Sequence, residues 1–168
     1  NTVGVIDDAL TFNGIDDYIL VTDSGPLSPT QEVTVCGWFW FNDTAANTGL
    51  IWKHSYNYAL WTVSDTVRFA VWNASSEGST AIFSTSLLEA GWNFIAGVFD
   101  GTNSKLYLNG AETGSVGDSI TGPIRDNAGD LYIGYRPGQD YFDGIIDDVR
   151  IFDKTLSEAQ ISQLARGL

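Results

Sequence analysis

Apolar residues along this chain fall in short runs rather than at helical spacing. Segments rich in Val, Ile, Phe, Tyr and Trp alternate with clusters of Gly, Asn, Asp and Ser, the pattern of strands joined by turns. The runs predict strands over 8–13, 17–22, 32–42, 49–53, 57–63, 66–73, 80–85, 92–100, 104–109, 130–135 and 143–152. Asn109-Gly110, directly after Lys105-Leu106-Tyr107-Leu108, predicts a two-residue hairpin loop, because both residues tolerate the positive φ of a type I′ turn. Ser64-Asp65, between the runs Tyr58–Val63 and Val67–Trp72, predicts a second hairpin. Only the end of the chain changes period. Leu156, Ala159, Ile161 and Leu164 approach helical spacing, and Ser157 with Gln160 forms a capping box. Strands this short leave no room for crossover helices. The pattern therefore predicts an all-β, two-sheet antiparallel sandwich or barrel with one short C-terminal helix.

Within Val33–Phe41, residues Val33, Val35, Gly37, Phe39 and Phe41 share one face and Thr34, Cys36, Trp38 and Trp40 the other. Both faces are largely apolar, so this is a central strand, covered on one side and lining something on the other. The stretch Gly4–Phe12 echoes Gly144–Phe152. Two neighbouring strands that tie the termini together would explain the echo, and so would chance. No linker or solenoid repeat interrupts the chain, which reads as one domain over residues 1–168.

Composition narrows the class. The 168 residues are 43% hydrophobic and 17% charged, and a domain of about 150 residues buries roughly 68–70% of its unfolded surface. Six Trp, 7 Tyr and 9 Phe need a place to pack, which argues against disorder. No apolar run approaches the ~20 residues of a bilayer-spanning helix, and the first residues carry no signal-peptide pattern. Met is absent even at position 1, as expected of a piece cut from something longer.

Lys and Arg number 8 against 21 Asp and Glu, a net charge of -13. Such a surface repels phosphate backbones and anionic membranes, so nucleic acid is not expected as a partner and, with no spanning run, neither is membrane insertion. The acids are 16 Asp to 5 Glu. Asp suits turns and hard-cation sites, and it also suits a solvated surface in salt water; both readings stand. Cys36 is alone, which rules out an intrachain disulfide. Its strand context predicts a packed thiol, and His54 is the only His that could serve it as a base.

Four stretches resemble one family. Ala9–Ile19 resembles the opening of laminin G-like domains of the concanavalin A-like lectin and glucanase superfamily, and Val33–Trp38 its second marker. Gly91-Trp92-Asn93-Phe94-Ile95-Ala96 followed by Lys105–Gly110 resembles the central pair of motifs, and Phe142–Phe152 with Leu156–Ile161 the last. At Trp40 the family usually carries a more polar residue. The resemblance implies a jelly roll of two curved antiparallel sheets, convex behind and concave in front. It also implies a structural calcium held by an Asp of the final strand, a position that Asp147 matches best.

Three kinds of chemistry compete. Pyranose rings stack their C–H faces on aromatic rings and pair their hydroxyls with polar groups. Trp52, Tyr56, Trp72, Tyr135, Arg136, Asp140 and Tyr141 lie in segments dense in both, and are the candidate ligand-binding residues. Several of these aromatics must instead fill the sandwich; Trp38, Trp92 and Phe94 are assigned to the core. Calcium is the second candidate, with Asp16, Asp17, Asp143 and Asp147 as ligands. Alternation places Asp147 with Ile145, Val149 and Ile151 on the buried face, where a carboxylate needs a cation, backbone N–H groups or an Arg. Catalysis is the third. Retaining glucanases need two carboxyl groups ~5–5.5 Å apart, whereas the five glutamates are scattered and no Glu-x-Asp-x-x-Glu strand occurs. Asn42-Asp43-Thr44 and Asn73-Ala74-Ser75 fit the glycosylation pattern.

The expectation is a non-catalytic carbohydrate-binding module of a larger secreted or cell-surface protein, with polysaccharide or glycan as partner and calcium as structural cofactor. An adhesion or spacer domain that binds protein is the alternative. Exposure and clustering of Trp52, Trp72 and Tyr135 discriminate between them.

Overall fold

The structure, a computed structural model, describes residues 2–54, 57–126, 128–139 and 141–167. In chain order its strands are β1 (Thr2–Val3), β2 (Asp8–Asn13), β3 (Ile19–Val21), β4 (Val33–Phe41), β5 (Gly49–Lys53), β6 (Tyr58–Val63) and β7 (Thr66–Trp72). They continue as β8 (Gly78–Ser84), β9 (Trp92–Phe99), β10 (Ser104–Leu108), β11 (Ala111–Glu112), β12 (Leu131–Ile133) and β13 (Asp143–Phe152), and the helix α1 (Glu158–Leu164) follows. A seven-stranded sheet runs β1-β2-β13-β4-β9-β10-β11, and a six-stranded sheet runs β3-β12-β5-β6-β7-β8. All pairings within these sheets are antiparallel. The two-residue strands β1 and β11 are too short to leave a pattern in the sequence.

β4 is the middle strand of the larger sheet, and its two apolar faces serve two cores. Val33, Val35 and Phe39 point between the sheets, where they meet Leu50, Tyr58, Leu60, Phe69, Ile95 and Leu106. Burying a side chain of this size is worth about 1.5–3 kcal/mol, so this layer holds the sandwich closed. On the other face Cys36 and Trp38 pack with Phe94, Ala96, Val98 and Tyr107 beneath Leu156 and Ile161. What this face lines is therefore the chain's own C-terminal segment. Thr34 locks it down: its hydroxyl donates to the Lys154 carbonyl at 2.8 Å and accepts from the Leu156 N–H at 3.1 Å. Trp92 packs against this cluster only partly buried, rather than within it.

The local signals fold as their chemistry requires. Ser64 and Asp65 have φ of 48° and 57°, and Asn109 and Gly110 of 50° and 91°, at the tips of the β6–β7 and β10–β11 hairpins. Ser157 caps α1 and exchanges both bonds of the capping box with Gln160. The echoing segments are neighbours, with β2 paired to β13 through Leu10–Ile146 and Asn13–Asp143.

One expectation fails at a bulge. β13 shifts register against β4 between Asp147 and Arg150, where Asp148 takes a φ of 47°. Ile146, Val149 and Ile151 face the inter-sheet core, so Asp147 lies on the opposite face, across from Trp38. Simple alternation could not register the extra residue.

Candidate functional site

The outer face of the six-stranded sheet carries the aromatic surplus. Tyr132 of β12 stands in register with Trp52 of β5, Trp52 with Ala59 of β6, and Ala59 with Ala70 of β7. Trp61 and Trp72 project from the adjoining rows of the same face. The two alanines leave gaps that the indoles cover: Trp52 meets Trp61 edge-on at 5.8 Å, and Trp61 stacks with Trp72 at 6.2 Å and 24°. The Arg136 guanidinium closes over Trp52, 4.7 Å from the ring centroid. Trp52 and Trp61 are left 6% and 7% exposed. The expectation that Trp52 offers an open stacking surface is thus corrected, since neighbouring rings and Arg136 bury it. Trp72 and Tyr135 stay half-exposed.

At the β3–β12 end of this face four phenol rings gather. Tyr18 lies 6.0 Å from Tyr132, 5.4 Å from Tyr135 and 6.1 Å from Tyr141. Tyr135 and Tyr141 form an isolated antiparallel bridge, and their rings stack at 4.4 Å and 16°. Tyr18 is 45% exposed, and the other three are half-buried. Burial first, then the charge of Asp130 and neighbouring phenols, pushes Tyr132 above the ordinary tyrosine range. Burial, Tyr135 and, among weaker causes, Asp16 do the same to Tyr141. Both therefore stay protonated at neutral pH and can donate.

Tyr141 also walls a pocket of about 600 Å³, counting its open mouth, with Asn13, Gly14, Asp43, Ala46 and Asp143. Asp43 Oδ1 accepts from the Ala45 N–H at 2.8 Å, and Asp143 Oδ1 from Asn42 Nδ2 at 2.8 Å. The second oxygen of each carries no hydrogen bond among the described residues. Asn13 organises the adjoining loop, its Oδ1 accepting from the N–H groups of Ile15, Asp16 and Asp17. Gly14 has a φ of 69°, and a Cβ there would sit 2.9 Å from that of Asp143. Only glycine permits that approach.

Of the four expected metal ligands, Asp16, Asp17 and Asp143 adjoin Asn13, and Asp147 lies four residues further along β13. Asp16 Oδ1 accepts from Asn13 Nδ2, Asp17 Oδ2 from the Asn13 N–H, and Asp143 from Asn42. Buried Asp147 accepts the N–H groups of Val5 and Ile6 through Oδ2, at 2.7 and 2.8 Å. Backbone donors thus compensate its charge. Among the described residues no group of three or more His, Cys, Asp or Glu side chains is placed to hold one ion.

Tyr56 and Asp140 lie outside the described residues. Cys36 is a buried free thiol on the larger sheet, and His54 follows β5 of the other. Of the two glycosylation patterns, Asn42 is exposed. Asn73 is buried, with its amide donating to Glu77 and to the Thr121 carbonyl. Sequence reasoning missed Tyr18, Tyr132, Trp61, Asn13 and Asp43. Tyr132 was within reach of alternation, since Leu131 and Ile133 on either side are core residues.

The family model of the concanavalin A-like lectin/glucanases superfamily, a laminin G-type model, matches residues 13–162. The chain belongs to this superfamily. The matched stretch contains the tyrosine cluster and the pocket, while Val5 and Ile6, which hold Asp147, precede it. No sequence among curated proteins matches. Several solved structures share the jelly roll. The receptor-binding domain of the botulinum neurotoxin C/D mosaic serotype aligns with a TM-score of 0.75 at 18% identity, over 99% of this chain and 44% of that one. Domain 4 of the extracellular arabinanase AbnA from Geobacillus stearothermophilus, in complex with arabinotriose, aligns at 0.73 and 21%, over 98% and 79%. A botulinum neurotoxin DC binding domain in complex with rat synaptotagmin II aligns at 0.67 and 15%, over 95% and 45%. At these identities the likeness is one of fold, and this superfamily member spans under half of the toxin chains.

Proposed function

We propose that this chain is a non-catalytic carbohydrate-binding module of a secreted or cell-surface protein. It takes glycan where the tyrosine cluster meets the pocket of Asn13, Asp43 and Asp143. One observation carries the reading: Tyr141 belongs both to a stack of phenol rings and to the wall of a polar pocket. A sugar needs that pairing, a flat apolar surface for its C–H face beside acceptors for its hydroxyls. The arabinotriose complex of the arabinanase domain supports a glycan partner in this fold.

The test is a glycan array followed by calorimetry on wild type and on Tyr141→Ala and Tyr135→Ala. Each substitution is expected to weaken binding about two- to tenfold, in line with ~0.5–1.5 kcal/mol for an aromatic contact. Unchanged affinity in both variants removes the site. A structural calcium remains part of the proposal. It would draw on one of these carboxylates together with carbonyl oxygens and water, rather than on four gathered aspartates. A melting temperature lowered by EDTA supports it, and an unchanged curve removes it.

The second reading, an adhesion domain that binds protein, is favoured by Trp40. It is 39% exposed on the opposite sheet, edge-to-face with Trp92 at 6.0 Å. Binding to no glycan on the array would favour it.

A further inference from the structure

We infer that the glycan taken at this site carries no acidic groups, and that the site rejects carboxylated, sulfated and sialylated sugars. The inference rests on the glycan reading above and concerns which class of glycan fits. Asp43 and Asp143 line the pocket, and the carboxylate oxygen that each leaves without a hydrogen bond among the described residues is an acceptor only. A hydroxyl can donate to them. An ionised carboxylate or sulfate ester on a sugar cannot, and it brings a like charge into a confined space.

The surroundings do not offset this. The described segments that build the site, 13–18, 42–46, 132–139 and 141–143, contain four Asp and one cation, Arg136. That guanidinium lies over Trp52, where drawing it away would uncover an indole now 6% exposed. At longer range the chain carries a net charge of -13, which slows the approach of any anion. The phenols of Tyr132 and Tyr141 remain as neutral donors. Two acceptors, phenol donors and flat rings match the hydroxyl-covered surface of an uncharged sugar.

The experiment compares matched pairs on the intact chain in EDTA, which keeps divalent ions from masking the carboxylates. Galactan oligosaccharides are set against galacturonan oligosaccharides, and desialylated glycans against their sialylated forms. In low salt the uncharged member of a pair is expected to bind at least about tenfold more tightly, because like-charge juxtaposition is costly. The gap should narrow at about 1 M salt, where screening acts within ~3 Å. It should narrow also in an Asp43→Asn, Asp143→Asn double variant; the salt arm stands should that variant fold poorly. Acidic members that bind as tightly as their uncharged partners, or more tightly, overturn the inference and leave glycan binding intact. Failure of every member of both classes to bind overturns the glycan reading itself.

Discussion

Gly4 owes its place to the atom it lacks. A Cβ built there would lie 2.3 Å from Asp147 Oδ2 and 2.8 Å from its Cγ, so a side chain would push the N-terminal turn off the carboxylate that its next two N–H groups bind. Gly4→Ala is expected to cost about 1–3 kcal/mol, the range for overpacking, read as a lower midpoint in urea with an unchanged slope. Asp147 shows what the sequence could say of a residue and what it could not. A buried carboxylate in the last strand was legible, and so was its need for compensation. Its face was not, because the bulge at Asp148 breaks the count, and the donors come from a loop more than a hundred residues away. Cys36 is simpler. Burial, reinforced by the charge of Asp148, pushes its thiol up to about 12. The folded protein is therefore expected to resist a thiol reagent at pH 8 and to react at once in denaturant; rapid native labelling would mean that α1 opens readily.

Among the elements, α1 depends most on a single cap. Losing the Ser157 hydroxyl frees one orphan N–H of the first turn, and Ser157→Ala should cost about 1 kcal/mol. Because α1 and the preceding turn lie over Trp38 and Phe94, the same variant should weaken the near-ultraviolet circular dichroism of these packed rings. Loss of stability without that change would place the effect elsewhere. The long strands and the two hairpins were legible because period-two apolar runs and positive-φ turn residues are local signals. The aromatic layer was legible only in part. A count of rings finds Trp52 and Trp72, but Ala59 and Ala70, the gaps that let indoles close over one another, emerge only from cross-strand register. Tyr18 and Tyr141 are brought together by strand order, which no local pattern encodes.

At the scale of the whole molecule, charge meets topology at one end of the sandwich. Lys53, fully buried at the end of β5, pairs with Asp23 and donates to the Gly129 carbonyl, joining β5 to the segments beside β3 and β12. The hydrogen bond from Lys53 is the main force holding Asp23 below its ordinary value of 3.8, against opposing desolvation. A depressed carboxylate contributes stability that is fully present above that value and lost as pH falls through its folded pKa. Wild type should therefore melt above Asp23→Asn at pH 5, and the two curves should converge as the solution is acidified below pH 3.8. A gap that persists in acid would show that the pair does not act through this titration. Strand order has a further consequence, for the ribosome. β13 follows the other twelve strands in the chain, yet it is third in its sheet, between β2 and β4. Until it emerges, both neighbours wait with open edges, so the larger sheet cannot close before β13 has left the ribosome. A nascent chain stalled short of residue 143 would offer those two edges to the next chain on the same message.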